Sequence, residues 1–340
     1  MRLADRLLAA WYRPRPGLLA TALAPLAAIF GVVAALRRAL YRHRVLAVVR
    51  LPVPVVVVGN IAVGGTGKTP LVAALAAALA ARGFRPGCVS RGYGRRERPG
   101  APAALRVGPG ASADDIGDEP LLLARRGIPV AVGRDRAAAA RLLLAGTPAC
   151  DVVIADDGLQ HYRLARDVEI AVVDGERGLG NGWLLPAGPL REPSTRLADV
   201  DAVVVNGADA GRGDWPDDAF LMTLVAGPLR RVDGAAGLAD VATLGRRIRA
   251  VAGIGNPSRF FAGLRAVGFD PVGHPFPDHH RFVAADLAFG DRLPVVMTEK
   301  DAVKCSTFAD ERCWYLPVEA ELDPALVSLV EERLRGSQAA

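Results

Sequence analysis

A glycine-rich segment in the first third of the chain has the composition of a phosphate-binding loop. It has the sequence G-N-I-A-V-G-G-T-G-K-T at 59–69, between an apolar β-branched run at 53–58 and an alanine-rich segment. In such a loop, glycines let backbone N–H groups converge on phosphate oxygens, and the following helix N-terminus adds partial positive charge. We expect the Lys68 ammonium to reach the β- and γ-phosphates of a nucleotide and the Thr69 hydroxyl to ligate Mg²⁺.

The loop departs from the usual consensus at one position. The pattern G-x-x-x-x-G-K-[ST] requires glycine where this chain has Ala62, so Gly64 and Gly65 are expected to supply the turn. A strand–helix turn without a ligand is the alternative, but the order of strand, loop, G-K-T and helix favours nucleotide binding. The residues predicted to contact the nucleotide are Gly64, Gly65, Thr66, Gly67, Lys68 and Thr69.

A pair of aspartates follows a second apolar run. The run V-V-I-A at 152–155 ends in Asp156, Asp157 and a glycine. A carboxylate at the end of a buried strand commonly holds Mg²⁺, directly or through water, opposite a phosphate loop. Asp-Gly is also ordinary turn chemistry, so a solvated turn is the alternative. The phosphate loop upstream favours the metal site.

The segments around these motifs alternate between strand and helix patterns, which predicts an α/β fold with a parallel sheet. Predicted strands are 53–58, 87–90, 152–155, 169–173 and 202–205, and predicted helices are 68–81, 119–126 and 134–145. A glycine- and aspartate-rich stretch at 207–217 predicts a linker. A second unit follows, with predicted strands 220–225, 248–252 and 295–298 and helices 257–267 and 324–334. We therefore expect a phosphate-loop NTPase-like α/β/α domain at 46–206 and a smaller α/β domain at 207–340.

The amino-terminal region, 1–45, has a different character. Residues 17–36 carry no charge, and as a helix they would extend ~30 Å, about the thickness of a hydrocarbon core. Arginines flank this stretch on both sides, and each contributes about 1 kcal/mol near anionic lipid. A membrane-associating helix is therefore predicted, either spanning the bilayer or lying in its interface. A buried core helix is the alternative.

Charge and cysteine content exclude several classes of protein. Residues 1–50 contain nine arginines and one aspartate, a formal charge of +8, whereas the whole chain carries +6, so the remaining 290 residues carry −2. A body without excess positive charge argues against nucleic-acid binding. The four cysteines lack zinc-site or C-x-x-C spacing, which indicates a reducing compartment. Only three of the 42 basic residues are lysines, Lys68, Lys300 and Lys304, and each lies in a candidate motif.

Seven short motifs, taken in order, resemble those of the lipid A biosynthesis kinase family, the tetraacyldisaccharide 4'-kinases. They are V-G-N-I-A-V-G-G-T-G-K-T-P (58–70), S-R-G-Y-G-R (90–95), G-D-E-P (117–120), D-D-G-L-Q-H (156–161), L-R-E-P (190–193), F-P-D-H-H (276–280) and T-E-K-D (298–301). Each motif alone is weak, but seven in the family's order are specific. The family's loop is itself degenerate at the position of Ala62.

The resemblance implies a reaction and a location. The γ-phosphate of MgATP would be transferred to the 4'-hydroxyl of an acylated glucosamine disaccharide 1-phosphate, giving lipid IVA. It also implies an active site in the cleft between the two domains, and a substrate taken from the cytoplasmic leaflet of the inner membrane. The expected cofactors are ATP and Mg²⁺. The expected partners are the lipid and the membrane surface, with no nucleic acid and no obligate protein partner.

The resemblance also assigns the acid–base residues. Asp118 resembles the family's general base, which would accept the proton of the attacking hydroxyl. From the residues alone, a helix cap is an equally good interpretation of this aspartate. His279 resembles the partner that tunes the base, and the adjacent His280 is an alternative match. Because this histidine lies in the second predicted domain, the pair would form across the cleft.

The remaining assignments by resemblance concern phosphates and substrate. Lys68 is expected to be catalytic, and Asp156 and Asp157 are expected to be associated with the metal, with the direct ligand left open. The residues expected near the substrate are Arg91, Tyr93, Gln160, His161, Arg191 and Glu192. Lys300 is interpreted only as the start of a helix capped by Thr298, without a catalytic role.

Two other functions fit part of the pattern. A membrane-associated ATPase of the partitioning type also combines G-G-x-G-K-T with a membrane-binding helix. Such proteins typically have another lysine early in the phosphate loop, and residues 60–66 contain none. A nucleotide-sensing membrane adaptor is less consistent with the acidic residues Asp118, Asp156 and Asp157.

Overall fold

The computed structural model describes residues 3–13, 16–96, 102–207, 213 and 215–338. Its strands, numbered in chain order, are β1 (Val55–Gly59), β2 (Pro86–Ser90), β3 (Ala104–Arg106), β4 (Val130–Gly133), β5 (Val152–Asp156), β6 (Val168–Asp174), β7 (Ala202–Asn206), β8 (Phe220–Ala226), β9 (Leu229–Arg231), β10 (Leu238–Ala239), β11 (Arg247–Ala252), β12 (Asp270–Pro275), β13 (Val295–Thr298), β14 (Cys313–Leu316) and β15 (Val318–Leu322). Its helices are α1 (Leu3–Trp11), α2 (Leu18–Arg42), α3 (Lys68–Ala81), α4 (Ala113–Ile116), α5 (Asp118–Arg125), α6 (Arg136–Leu144), α7 (Val241–Leu244), α8 (Pro257–Ala266), α9 (Glu299–Cys305) and α10 (Pro324–Gln338). The predicted strands and helices are confirmed, with shifts at their ends.

These strands form two sheets, and the predicted α/β class is confirmed. The larger sheet has the order β15-β8-β7-β6-β1-β5-β2-β4-β3, in which β3 and β15 are antiparallel edge strands and the seven between them are parallel. The smaller sheet has the order β10-β9-β14-β13-β11-β12, with β11 to β14 parallel. The carboxyl ends of the parallel strands therefore meet along one edge of each sheet, where α/β proteins bind ligands.

The central strand shows why the larger sheet is covered on both faces. All five residues of β1 are buried, and their side chains alternate between two hydrophobic clusters. Val56 and Val58 pack in the cluster that contains α3, whereas Val55 and Val57 pack in the cluster that contains α6. A continuous apolar run is the pattern of a parallel strand buried on both faces.

The predicted boundary between 206 and 207 does not match the pairing of the strands. β8 was assigned by sequence to the second unit, but it pairs in parallel with β7, and β15 pairs with β8. Helix α10 likewise packs on α3 and β6 of the larger sheet. The smaller sheet therefore uses strands between Leu229 and Leu316 only. Sequence periodicity identifies a strand but does not show which sheet it joins, because that choice depends on distant partners.

The chain crosses between the two sheets at 227–228 and at 317. These connections lie side by side, because the Gly227 amide donates to the Pro317 carbonyl at 3.0 Å. The linker predicted at 207–217 lies largely outside the described residues, which omit 208–212 and 214.

Helix α2 coincides with the apolar stretch predicted near the amino terminus, and only 11% of its most apolar window is buried. The alternative of a buried core helix is therefore wrong. Its exposed apolar side chains are Leu18, Leu26, Ile29, Val32, Val33 and Leu36. Helix α2 is long and apolar enough to cross a membrane. This helix, at the start of the chain, is consistent with membrane association.

Candidate active site

The glycine-rich loop joins β1 to α3 at the carboxyl edge of the larger sheet. Gly67 precedes the helix with φ of 91°, a left-handed conformation that favours glycine. A Cβ at this position would overlap the side-chain amide of Asn206, the last residue of β7. This amide donates to the Thr66 carbonyl at 3.0 Å. The Thr66 hydroxyl is buried and has no hydrogen-bond partner among the described residues. Asn206, which the sequence analysis did not single out, therefore fixes the loop from a neighbouring strand end.

The two aspartates at the end of β5 have different environments. Asp156 is fully buried, and neither of its carboxylate oxygens has a hydrogen-bond partner among the described residues. Burial, together with the negative charge of Glu119, raises the pKa of Asp156. Asp157 lies on the cavity wall, 3.5 Å from Lys68 Nζ and 3.4 Å from Arg191 Nη1. Burial alone would raise the pKa of Asp157, but these two cations lower it.

This arrangement fits a divalent cation. A fully buried carboxylate without a partner is costly unless a cation or proton compensates it. The described residues contain no group of three or more His, Cys, Asp or Glu side chains that could hold a metal. Mg²⁺ does not require one, because it usually binds one or two carboxylates together with phosphate oxygens and water. Asp156, Asp157 and Thr69 are therefore suitable to hold Mg²⁺ together with a nucleotide.

Asp118 is the first residue of α5, and its carboxylate faces the smaller sheet. Its Oδ2 lies 3.0 Å from His279 Nδ1, while its Oδ1 accepts from the Glu119 amide at 3.0 Å. The residue that caps the helix is Gly117, and Asp118 makes no capping hydrogen bond across the first turn. The cap interpretation is therefore not supported. Burial alone would raise the pKa of Asp118, but the hydrogen bond from His279 and the charges of Lys300 and Lys304 lower it to about 2.

The structure separates the two adjacent histidines. His279 lines the cavity with its ring against Tyr93, the ring centroids 4.7 Å apart. Its backbone has φ of 58°, a left-handed conformation that turns the chain between the two imidazoles. The His280 ring instead contacts Asp286 at 3.0 Å and packs between Phe276 and Phe282. His279 is therefore the histidine that pairs with Asp118.

The pKa of His279 reflects competing influences. Burial alone would lower it and the charge of Lys300 lowers it further, but the hydrogen bond with Asp118 and the charges of Asp118 and Asp278 outweigh both, so the pKa of His279 is raised above its ordinary value. The pair joins α5 of the larger sheet to a loop of the smaller-sheet unit, as predicted from sequence.

The residues expected near the substrate occupy one wall of the same cavity. Gln160 Nε2 donates to the Asn60 carbonyl at 3.1 Å and to Glu192 Oε1 at 2.7 Å. Glu192 is buried, and its other oxygen accepts from the Tyr162 hydroxyl. Since both oxygens of Glu192 are engaged within the protein, its evident role is to hold Gln160. Arg191 Nη1 donates to both oxygens of Asp157 at 3.4 Å, and Arg191 lines the cavity.

His161, Arg91 and Tyr93 also line the cavity. His161 Nε2 is buried without a partner among the described residues, and burial, together with the charge of Arg136, lowers its pKa to about 4. A neutral imidazole with a free nitrogen is suited to a hydrogen bond with a ligand. Tyr93 is 61% exposed, so its hydroxyl is accessible even though its ring contacts His279.

The cavity has a volume of about 1140 Å³ and extends from α2 to the smaller sheet. At the α2 end it is lined by Phe30, Val33, Ala34 and Arg37. Arg37 Nη1 donates to the Gln160 carbonyl at 3.2 Å, which connects the helix to the site. Asp118 and Asp156 lie behind the wall, and the other predicted site residues form its surface.

Several residues of this site were missed by sequence reasoning. Lys300, on α9, places Nζ 2.9 Å from Glu119 Oε1 and 3.5 Å from His279 Nε2. Thr298 caps α9 as predicted, but the lysine reaches into the site. Arg259, on α8, donates to Asn206 Oδ1 at 3.2 Å and so connects the smaller sheet to the phosphate loop. The scarcity of lysine was the signal for Lys300, whereas nothing distinguished Arg259 among 39 arginines.

The chain is similar to known proteins over nearly its whole length. Residues 19–335 match the family model described as tetraacyldisaccharide-1-P 4'-kinase. A protein of Alkalilimnicola ehrlichii named tetraacyldisaccharide 4'-kinase is 56% identical over 330 residues, covering 97% of this chain and 96% of its own length. A protein of the same name from Pseudomonas putida is 48% identical over 340 residues, covering 98% of each chain.

A solved structure has the same fold. The crystal structure of LpxK from Aquifex aeolicus in complex with ATP superposes with a TM-score of 0.76 at 28% sequence identity, covering 93% of this chain and all of that one. The predicted fold class is therefore confirmed by both the topology and this match.

Proposed function

Because the chain belongs to the tetraacyldisaccharide 4'-kinase family, we propose that it transfers the γ-phosphate of ATP to the 4'-hydroxyl of an acylated glucosamine disaccharide 1-phosphate in lipid A biosynthesis. The observation that carries the mechanism is the pairing of Asp118 and His279 at 3.0 Å beside the cavity that contains the phosphate loop. One site therefore combines a place for a triphosphate with an acid–base pair.

The phosphate loop binds and orients the nucleotide. Residues 64–69, which include the start of α3, line the cavity, and Lys68 adds a cation there. Thr69, Asp156 and Asp157 would hold Mg²⁺, which would supply positive charge to the phosphates of the nucleotide. Arg191, whose Nη1 lies 3.4 Å from Asp157, is a second cation on the cavity wall and is suited to offset charge on phosphate oxygens.

The acid–base pair activates the acceptor. A sugar hydroxyl is a poor nucleophile until a base takes its proton, and Asp118, ionised at neutral pH, is the base we assign. His279 orients this carboxylate through the Nδ1–Oδ2 hydrogen bond. Gln160, His161, Arg91 and Tyr93 supply hydrogen-bond partners for the sugars and the 1-phosphate.

The two sheets are expected to close on the substrate. Asp118 belongs to the larger-sheet unit and His279 to the smaller, and the two chain connections beside Gly227 and Pro317 are suited to act as a hinge. The pair is formed in this structure, so movement at the hinge would open the site to the substrate and then close it around the pair to exclude water.

The position of the acceptor follows from α2. Its exposed apolar side chains and flanking arginines suit a lipid surface with anionic headgroups, and its inner face forms the cavity wall. We place the site at the cytoplasmic face of the inner membrane, where ATP is available, with no protein partner required.

The test is a phosphoryl-transfer assay with the full chain in mixed micelles. Radiolabel from the γ-position of ATP is followed with an acylated disaccharide 1-phosphate and with the same lipid methylated at the 4'-oxygen. We expect labelled lipid from the first acceptor only. Release of inorganic phosphate at the same rate with either lipid, without labelled lipid, would instead identify an ATPase.

A further inference from the structure

Lys300 lies where the acid–base pair meets the smaller sheet. Its Nζ is 2.9 Å from Glu119 Oε1, 3.6 Å from Asp278 Oδ1 and 3.8 Å from Asp118 Oδ2. Burial alone would lower the pKa of this ammonium, but the three carboxylates raise it well above its ordinary value. Lys300 is therefore a permanent cation in this site.

The same ammonium lies 3.5 Å from Nε2 of His279. A lysine ammonium has three hydrogen-bond donors and no acceptor, so the nitrogen opposite it is favoured as an acceptor. The other ring nitrogen, Nδ1, lies 3.0 Å from the Asp118 carboxylate, which only accepts. The neutral ring satisfies both neighbours in one tautomer, with its proton on Nδ1 and a lone pair on Nε2.

The Nε2–H tautomer is disfavoured, and Lys300 opposes formation of the imidazolium. With the proton on Nε2, an N–H would oppose the ammonium of Lys300, and the Nδ1 lone pair would oppose the carboxylate of Asp118. In the imidazolium, the positive ring would lie 3.5 Å from the ammonium, which opposes the rise in pKa that Asp118 and Asp278 cause. Like charges at such distances change a pKa by about 1–3 units.

We propose that Lys300 is a positioning residue that fixes His279 as the neutral Nδ1–H tautomer, so that the imidazole donates to Asp118 and leaves the base ionised. The inference rests on the proposed function for its consequence in catalysis, but the tautomer itself is a property of the resting protein. The charged and titratable groups that face the ring are Asp118, Asp278, Lys300 and Tyr93, and Glu119 pairs with the Lys300 ammonium behind them.

Lys304 supplies a matched comparison. It lies one turn further along α9, and its Nζ is 3.9 Å from Asp118 Oδ2, nearly the distance found for Lys300. Its closest carboxylate is Asp301, at 2.7 Å, and it contacts the ring of Phe282 rather than that of His279. Loss of either lysine removes a cation near the base, but only loss of Lys300 removes the partner of Nε2.

The experiment is ¹⁵N NMR of the full chain in micelles with ring-labelled histidine. The chain has five histidines, and a His279→Gln variant assigns the relevant signals. In the wild-type protein at pH 7.5 we expect a protonated Nδ1 and an unprotonated Nε2 at His279. In Lys300→Met we expect this pattern to be lost and the His279 pKa to rise by about 1–3 units, because the like charge is gone. Lys304→Met should keep the wild-type tautomer, and Lys300→Arg should restore it.

Kinetics provide the second measurement. If activity requires the neutral ring, the acidic limb of the kcat/KM profile moves to higher pH in Lys300→Met by the same shift, whereas KM for ATP changes little. A proton on Nε2 in the wild-type protein would overturn the proposal without any variant having to fold. An unchanged tautomer and pKa in folded Lys300→Met would also overturn it. Absence of lipid phosphorylation with the tautomer as expected would instead refute the proposed function alone.

Discussion

Replacing Asp118 by asparagine tests the assigned base with the least change of shape. An amide cannot accept the proton of the sugar hydroxyl, and removal of a general base typically costs ~10²–10⁴-fold in rate. The hydrogen-bond and ion partners of Asp118 lie on α5, on α9 and in the loop of His279, and none belongs to the phosphate loop. We therefore expect kcat to fall by this factor while KM for ATP changes only a few-fold.

The same substitution has a calculable effect on stability. The pKa of Asp118 is lowered from 3.8 to about 2, which corresponds to about 2 kcal/mol in favour of the folded state. Because the folded pKa is the lower one, this stabilisation is present above about pH 4 and is lost as the pH falls toward 2. Asp118→Asn should lose it at neutral pH and still fold, since domains are typically stable by ~5–15 kcal/mol. Its unfolding free energy should also depend less on pH between 4 and 2.

The chain contains a matched control for this variant. Asp286 pairs with His280 at 3.0 Å, the same separation as in the Asp118–His279 pair, but neither residue lines the cavity. In the transfer assay, Asp286→Asn should keep kcat within about tenfold of wild type, below the range expected for loss of a base. Urea titrations at pH 7, pH 4 and pH 2 report the stability of both variants.

Two outcomes would refute this assignment. A folded Asp118→Asn protein that turns over at the wild-type rate would show that the carboxylate is structural, and the base would then have to be sought at Asp156 or Asp157. Equal losses in the Asp118 and Asp286 variants would show that the smaller-sheet unit is merely sensitive to disruption of its loops.

Three further predictions concern the nucleotide and the membrane. Lys68→Ala should lower kcat by ~10²–10³-fold without unfolding, because it removes a cation beside the phosphates; near-normal transfer would contradict the phosphate-loop assignment. Gly67→Ala should raise KM for ATP and lower the free energy of urea unfolding by ~1–3 kcal/mol, because alanine disfavours φ of 91° and its Cβ overlaps the Asn206 amide. Gly83→Ala is the matched control. It has the same backbone strain at φ of 90° but no neighbour within 4 Å, so it should leave KM for ATP unchanged. Deletion of residues 1–40 should release the protein from vesicles with anionic lipid and impair use of long-chain acceptors; unchanged sedimentation with those vesicles would place the anchor elsewhere.

The local elements of this protein follow from its sequence. Strand β1 is buried on both faces of the sheet, so its residues had to be continuously apolar. This pattern predicts a buried strand without knowledge of the strands that pair with it. The phosphate loop was readable for a similar reason, because backbone turns, a lysine and a hydroxyl act within 11 consecutive residues, 59–69. The apolar helix near the amino terminus was likewise evident from an uncharged stretch flanked by arginines.

What the sequence left open depended on contacts between distant residues. The choice between His279 and His280 was settled by a left-handed residue that sends adjacent rings to different neighbours. The placement of β8 in the larger sheet required its pairing with β7, which no local pattern encodes. Lys300 Nζ lies 3.5 Å from His279 Nε2 although the two residues are 21 positions apart in the sequence. Arg259 donates to Asn206 Oδ1 although these residues are 53 positions apart. Contacts of this kind form within each unit and between the two units only when the chain folds, so only the tertiary structure could decide them.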